Sequence, residues 1–229
     1  MRLMASVLTF LTICVLCCKF YIYGMIRVIL ILALLCSGGL AFGQTPAFDY
    51  SGYKPIPQGY TNRDSLAMHI VPDRPCNYWE YLLSVGTDRV PLNVIFSKGK
   101  KPRSINFKRQ DQGFYMGCVP GYCLWYIAYV RNHKAGYITT PNQFVQFIGK
   151  VDNLEEAILL CEMNGNVSVD TDFKGAAYKK TNDGYEIVLM KYTQCPQTFT
   201  AIHFTLNGAT IVNKENLGVY RTLEGCPVY

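Results

Sequence analysis

The first 43 residues are unsuited to a globular fold. They hold three charged residues, Arg2, Lys19 and Arg27, no Asp or Glu, and two apolar stretches in series. Residues 3–18 run sixteen positions without a charge, and residues 28–36 run nine more just after Arg27. A bilayer-spanning helix needs about 20 predominantly apolar residues. The second stretch is too short to span, but it has the length of a signal-peptide hydrophobic region. Its flanks agree: Met25-Ile26-Arg27 gives a short positive start, Ser37-Gly38-Gly39 breaks the helix, and Ala41-Phe42-Gly43 sets small residues at the positions a signal peptidase reads. Cleavage is expected between Gly43 and Gln44. Leu35 stands before Cys36 where lipidation would require a small residue, which argues against a lipid anchor.

On this reading residues 25–43 are the signal peptide, Met25 is the biological start, and residues 1–24 are a doubtful upstream extension. The alternative is a membrane anchor over residues 3–26, with Lys19 snorkelling to the interface. The cluster Cys14, Cys17 and Cys18 lies inside the apolar run, with no polar groups around it to orient metal ligands. Either topology puts the rest of the chain outside the cytoplasm: periplasmic, on the outer surface, or secreted. Contact with a membrane is then expected only through an uncleaved N-terminal segment.

Residues 44–229 are enough for one domain with a substantial core. Three of the chain's 22 basic residues lie in the leader and none of its 16 acidic ones, so export lowers the net charge from +6 to +3. That balance gives no reason to expect a nucleic-acid partner. Six of the ten cysteines remain: Cys76, Cys118, Cys123, Cys161, Cys195 and Cys226. An even number beyond a signal peptide predicts disulfides, with connectivity left open. A Cys76–Cys226 bridge would tie the ends of the folded region together, and Cys118 and Cys123 could face each other across a tight hairpin. Cys161 lies in an apolar helical stretch; if it is a buried free thiol, one other cysteine is unpaired too.

Residues 44–75 read as an arm. Pro46, Pro55, Pro57, Pro72 and Pro75 punctuate it, and neither a helical nor a strand period survives. The globular domain is expected over residues 76–229. Strands are predicted over 78–85 and 90–97 around Gly86-Thr87-Asp88, over 104–108, and over 124–130 after a type II turn at Val119-Pro120-Gly121-Tyr122. Thr140-Pro141 starts a helix to Ile148, and Asp152 is expected to cap a second helix, about 153–163, that stops near Gly165. Glu155 and Glu156 suit its first turn. Hairpins follow, 176–181 with 185–193 and 199–206 with 209–213, the latter across Asn207-Gly208. The fold class expected is α+β: an antiparallel sheet built from hairpins, with the two helices packed on one face.

Chemistry is thinly signalled. His69, His133 and His203 stand at no metal-ligand spacing, and neither a metal nor another cofactor is expected. Asp170-x-Asp172 with Gly175 begins like a calcium loop, but Lys174 and Thr181 occupy chelating positions. A Cys–His nucleophilic pair, Cys123 with His133 or His203, needs partners that meet only in the fold. A redox pair at Cys118 and Cys123 has the wrong spacing and no adjoining base. Neither a phosphate loop nor a nucleophile elbow occurs. Lys98, Lys100, Lys101, Arg103, Lys108 and Arg109 place six positive charges within twelve residues, a candidate dock for an anionic envelope component. Asn166-Val167-Ser168 is a glycosylation acceptor pattern, relevant in a eukaryotic source. Two functional expectations follow: an exported binding or structural domain held by disulfides, or an exported thiol enzyme, either a Cys–His hydrolase or a thiol-redox protein.

Overall fold

Alternating apolar residues beyond the N-terminal segment pair into two antiparallel sheets rather than the single sheet expected, within an α+β fold. The structure, a computed structural model, describes residues 48–86, 91–118 and 121–226, and of residues 116–118 and 121–122 the backbone alone. The predicted leader with its expected cleavage site, the tip at Thr87-Asp88 and the Val119-Pro120 turn lie outside the described residues. Among the described residues no helix is long and apolar enough to cross a membrane. The residues from Tyr50 onward make one compact unit.

The first sheet runs in the order β1 (Lys54–Pro55), β7 (Ala176–Lys180), β8 (Gly184–Gln194), β9 (Gln197–Asn207), β10 (Thr210–Leu223). In the second sheet β3 (Asn93–Gly99) pairs with β2 (Tyr78–Val85), and β2 pairs with β5 (Gly121–Arg131). The other edge of β5 is shared: β4 (Tyr115–Cys118) pairs with its first half and β6 (Lys134–Ile138) with its second. Asn132 and His133 close the β5–β6 hairpin, both at positive φ (52° and 60°), as a two-residue turn of that handedness requires. No strand forms over 104–108; that stretch is irregular and lies over the outer face of β2 and β5.

Three helices join the sheets. α1 (Arg63–Ala67) lies in the segment expected to be an arm, α2 is Pro141–Ile148, and α3 is Leu154–Gly165. α3 packs on β8, α1 and α2 pack on β3 and β6, and both touch α3. The core is therefore continuous from Ile187, Leu189 and Phe204 of the first sheet, through Ile158 and Leu159 of α3, to Trp79, Tyr81 and Ile127 of the second. The arm is part of it, because Ile56, Leu66, Ala67 and Ile70 are all buried.

The helix ends follow side-chain chemistry, with two corrections. Thr140 and Gln143 form a capping box at α2. At α3 the cap is Asn153 rather than Asp152: its side chain accepts from the Glu156 N–H, and Asp152 instead donates its own N–H to the Glu156 carboxylate. Asn166, at φ 49°, takes the left-handed position after the helix, so Gly165 remains helical.

Candidate functional site

The predicted site residues divide between those used inside the fold and those left open. Cys195 is bonded to Cys226, with Cα atoms 5.1 Å apart, so the Cys76–Cys226 bridge does not form. Cys226 lies beyond the end of β10, which the hairpin brings back to the start of β9, next to Cys195. Cys123 is also disulfide-bonded, whereas the side chain of Cys118 lies outside the described residues. Cys76 and Cys161 are free thiols. Cys161 is fully buried in α3, and burial pushes its thiol pKa well up, which suppresses the thiolate needed for chemistry.

No Cys–His pair assembles at Cys123. His133 sits in the turn at the far end of β5, and His203 lies in the other sheet. His203 faces the Tyr53 hydroxyl at 3.1 Å, and Tyr53 donates to Glu186 at 2.5 Å. His69 lies 3.6 Å from Glu155, which also accepts from Tyr60. Asp170 and Asp172 hold protein rather than metal. Asp170 accepts from Tyr220 and Arg221, and Asp172 caps the 3-10 turn Phe173–Gly175. Among the described residues no group of three or more His, Cys, Asp or Glu could hold a metal ion.

The basic segment is partly consumed. Lys101 pairs at 2.9 Å with Glu80, which is 3% exposed, and lies 4.8 Å over the Phe107 ring. Arg109 donates to Ser84 and to the carbonyls of Val85 and Gly86. These two cations fasten the segment to the sheet. Lys98, Lys100, Arg103 and Lys108 remain exposed, the first two at the end of β3 and just after it.

A cleft that no local pattern announces lies elsewhere. It encloses about 660 Å³ between α2, the β5–β6 hairpin and the segment before β2. Its lining includes Asp73, Arg74, Tyr129, Arg131, Gln143 and Gln146. Two glycines shape it. Gly136, paired with Tyr129 across the hairpin, leaves room for that ring where a Cβ would collide with it. Gly149 turns the chain out of α2 at φ 69°, and a Cβ there would lie 2.6 Å from the Asp73 side chain. Arg131 donates to the Arg74 carbonyl at 3.2 Å, touches the Cys76 sulfur at 3.5 Å, and lies 5.4 Å over the Tyr129 ring. None of these residues was singled out by the sequence, because they come from separate segments that converge only in the fold.

Compared with family models, curated proteins and solved structures, the chain matches none.

Proposed function

We propose that this is an exported protein whose globular part binds or supports a partner outside the cytoplasm rather than turning over a substrate. Its leader is removed before Gln44. The observation that carries this reading is the state of the sulfurs: Cys195, Cys226 and Cys123 are oxidised, Cys161 is sealed in the core, and of the two free thiols only the half-buried Cys76 is reachable. Disulfides suit an oxidising compartment, and a bonded or sealed cysteine is a poor resting nucleophile. Two of the six cations expected to form a basic dock, Lys101 and Arg109, are tied to their own sheet, so the polar cleft is the better binding surface.

Mass spectrometry of the native protein tests the reading in one measurement of its N-terminus and thiols. A chain starting at Gln44, with Cys76 and Cys161 free and Cys195 joined to Cys226, is expected. A product retaining residues 3–18 would replace secretion by a membrane anchor. Rapid alkylation of Cys123 in the native state would favour a thiol enzyme instead.

A further inference from the structure

We infer that the cleft between α2 and the β5–β6 hairpin binds the carboxylate of an acidic sugar, with Arg74 and Arg131 as the anion-recognising pair. This deepens the binding reading above and rests on it for the extracytoplasmic setting.

The charges carry the inference. Arg63 and Arg221 each pair with a buried carboxylate, Glu162 at 2.9 Å and Asp170 at 3.0 Å. Arg74 and Arg131 face one cleft and form no ion pair among the described residues; Asp73, also in the lining, lies outside pairing distance of both. Arg131 is held in place by one nitrogen, Nη2, through the Arg74 carbonyl and the Cys76 sulfur. Its Nε is covered yet makes no hydrogen bond among the described residues. An unmet donor of this kind is costly, and a small rotation of the guanidinium toward an entering carboxylate would satisfy it. A planar guanidinium fork matches a carboxylate in two parallel bonds, which a lysine cannot reproduce.

The remaining lining selects the body of the ligand. The exposed amide of Gln146 and the half-buried phenol of Tyr129 offer donors and acceptors to hydroxyl groups. The Gln143 Oε1 is already used at the start of α2, where it accepts from Thr139 and Thr140. A volume near 660 Å³ lies within the range of about 300–1,000 Å³ that small-molecule sites occupy. The lining is too polar for a lipid tail and suits a hydroxylated acid. Such a ligand could be a free uronic acid or one unit of an acidic polysaccharide.

Calorimetric titration of the whole exported chain with sodium glucuronate, glucose, sodium acetate and an oligomeric glucuronan tests the assignment. Glucuronate should bind at least tenfold more tightly than glucose or acetate, and 0.5 M salt should weaken it. An oligomer that binds more tightly than the monomer points to a polysaccharide, and equal affinity to the free acid. Arg74→Gln should weaken glucuronate about tenfold and leave the fold intact, because that side chain is exposed and only the Arg74 carbonyl is bonded among the described residues. Arg131→Lys keeps the charge but loses the fork, and should weaken binding several-fold. Equal affinity for glucuronate and glucose, or an unchanged Arg74→Gln, would overturn the proposal; acetate matching glucuronate would overturn its sugar part. NMR of the same mixtures after a day separates the two readings. Cleavage of the oligomer would sink the binding-only function while keeping the site, whereas no glucuronate affinity would sink the site and leave the function standing.

Discussion

Two buried polar side chains of similar burial have opposite worth. Glu156 is fully buried, yet each carboxylate oxygen is used: Oε1 accepts from Val71 N–H at 2.7 Å and Oε2 from Asp152 N–H at 2.8 Å. Burial pushes its pKa up, partly countered by those backbone donors. Tyr81 is equally buried, but its hydroxyl has no hydrogen-bond partner among the described residues, although Arg63, Asp64 and Glu162 act on it. A buried donor left unmade costs about 1–3 kcal/mol, and deleting it without changing shape is neutral or favourable. Tyr81→Phe should therefore leave the urea midpoint unchanged or raise it. Glu156→Ala strands two backbone donors and should cost about 3 kcal/mol by the same reasoning. Equal losses in the two variants would refute this account.

Among the elements, those carried by local chemistry were legible and those carried by tertiary contact were not. The span of β2 was read to the residue, and the Thr140-Pro141 start of α2 was visible as a cap. α1 was missed because five residues show no period; it is helical through the burial of Leu66 and Ala67 and the cap at Asn62. β10 runs to Leu223, ten residues beyond the predicted end, with register shifts that scramble its alternation. Two clips hold this bulged edge strand. The Cys195–Cys226 disulfide spans 31 residues, and chain entropy assigns such a loop about 3.5 kcal/mol. Replacing both cysteines by Ser should lower stability by up to that amount and deprotect amides of residues 214–223 first, read by hydrogen exchange. Asp170 is the other clip, bonded by Tyr220 and Arg221. Burial raises its pKa, but the Tyr220 hydroxyl, the Thr171 N–H and Arg221 outweigh burial and leave it below the ordinary 3.8. A depressed folded pKa contributes stability that is complete above the unfolded value and is lost as pH falls through the folded one. Asp170→Asn should therefore destabilise at pH 7, with the gap to wild type closing below about pH 3.8. A gap constant down to pH 2 would contradict this.

At the scale of the whole molecule, the helix layer between the sheets determines how the protein opens. The sequence places Glu155 and Glu156 in the first turn of α3 and Cys161 in an apolar stretch, but it does not show that the acids are buried with the rest: all eight residues from Glu155 to Glu162 are buried. Its acids are legible as buried only once their partners are known: Tyr60, backbone N–H groups from Val71 and Asp152, and Arg63 arrive from the arm and the loop before the helix. The candidate cleft was hidden for the same reason, because its residues converge only in the fold. Since α3 touches α1, α2 and β8, its centre is expected to be exposed only when the layers separate. Cys161, at 0% exposure in that centre, is a built-in reporter of separation, and half-buried Cys76 serves as the control in the same molecule. Cys76 should react with a thiol reagent in native buffer at a rate insensitive to low urea. Cys161 should react only through global unfolding, its rate rising with urea along the slope of the equilibrium transition. If Cys161 instead reacts with a shallow urea dependence, the core opens locally at α3 and the arm is a detachable cover rather than part of the fold.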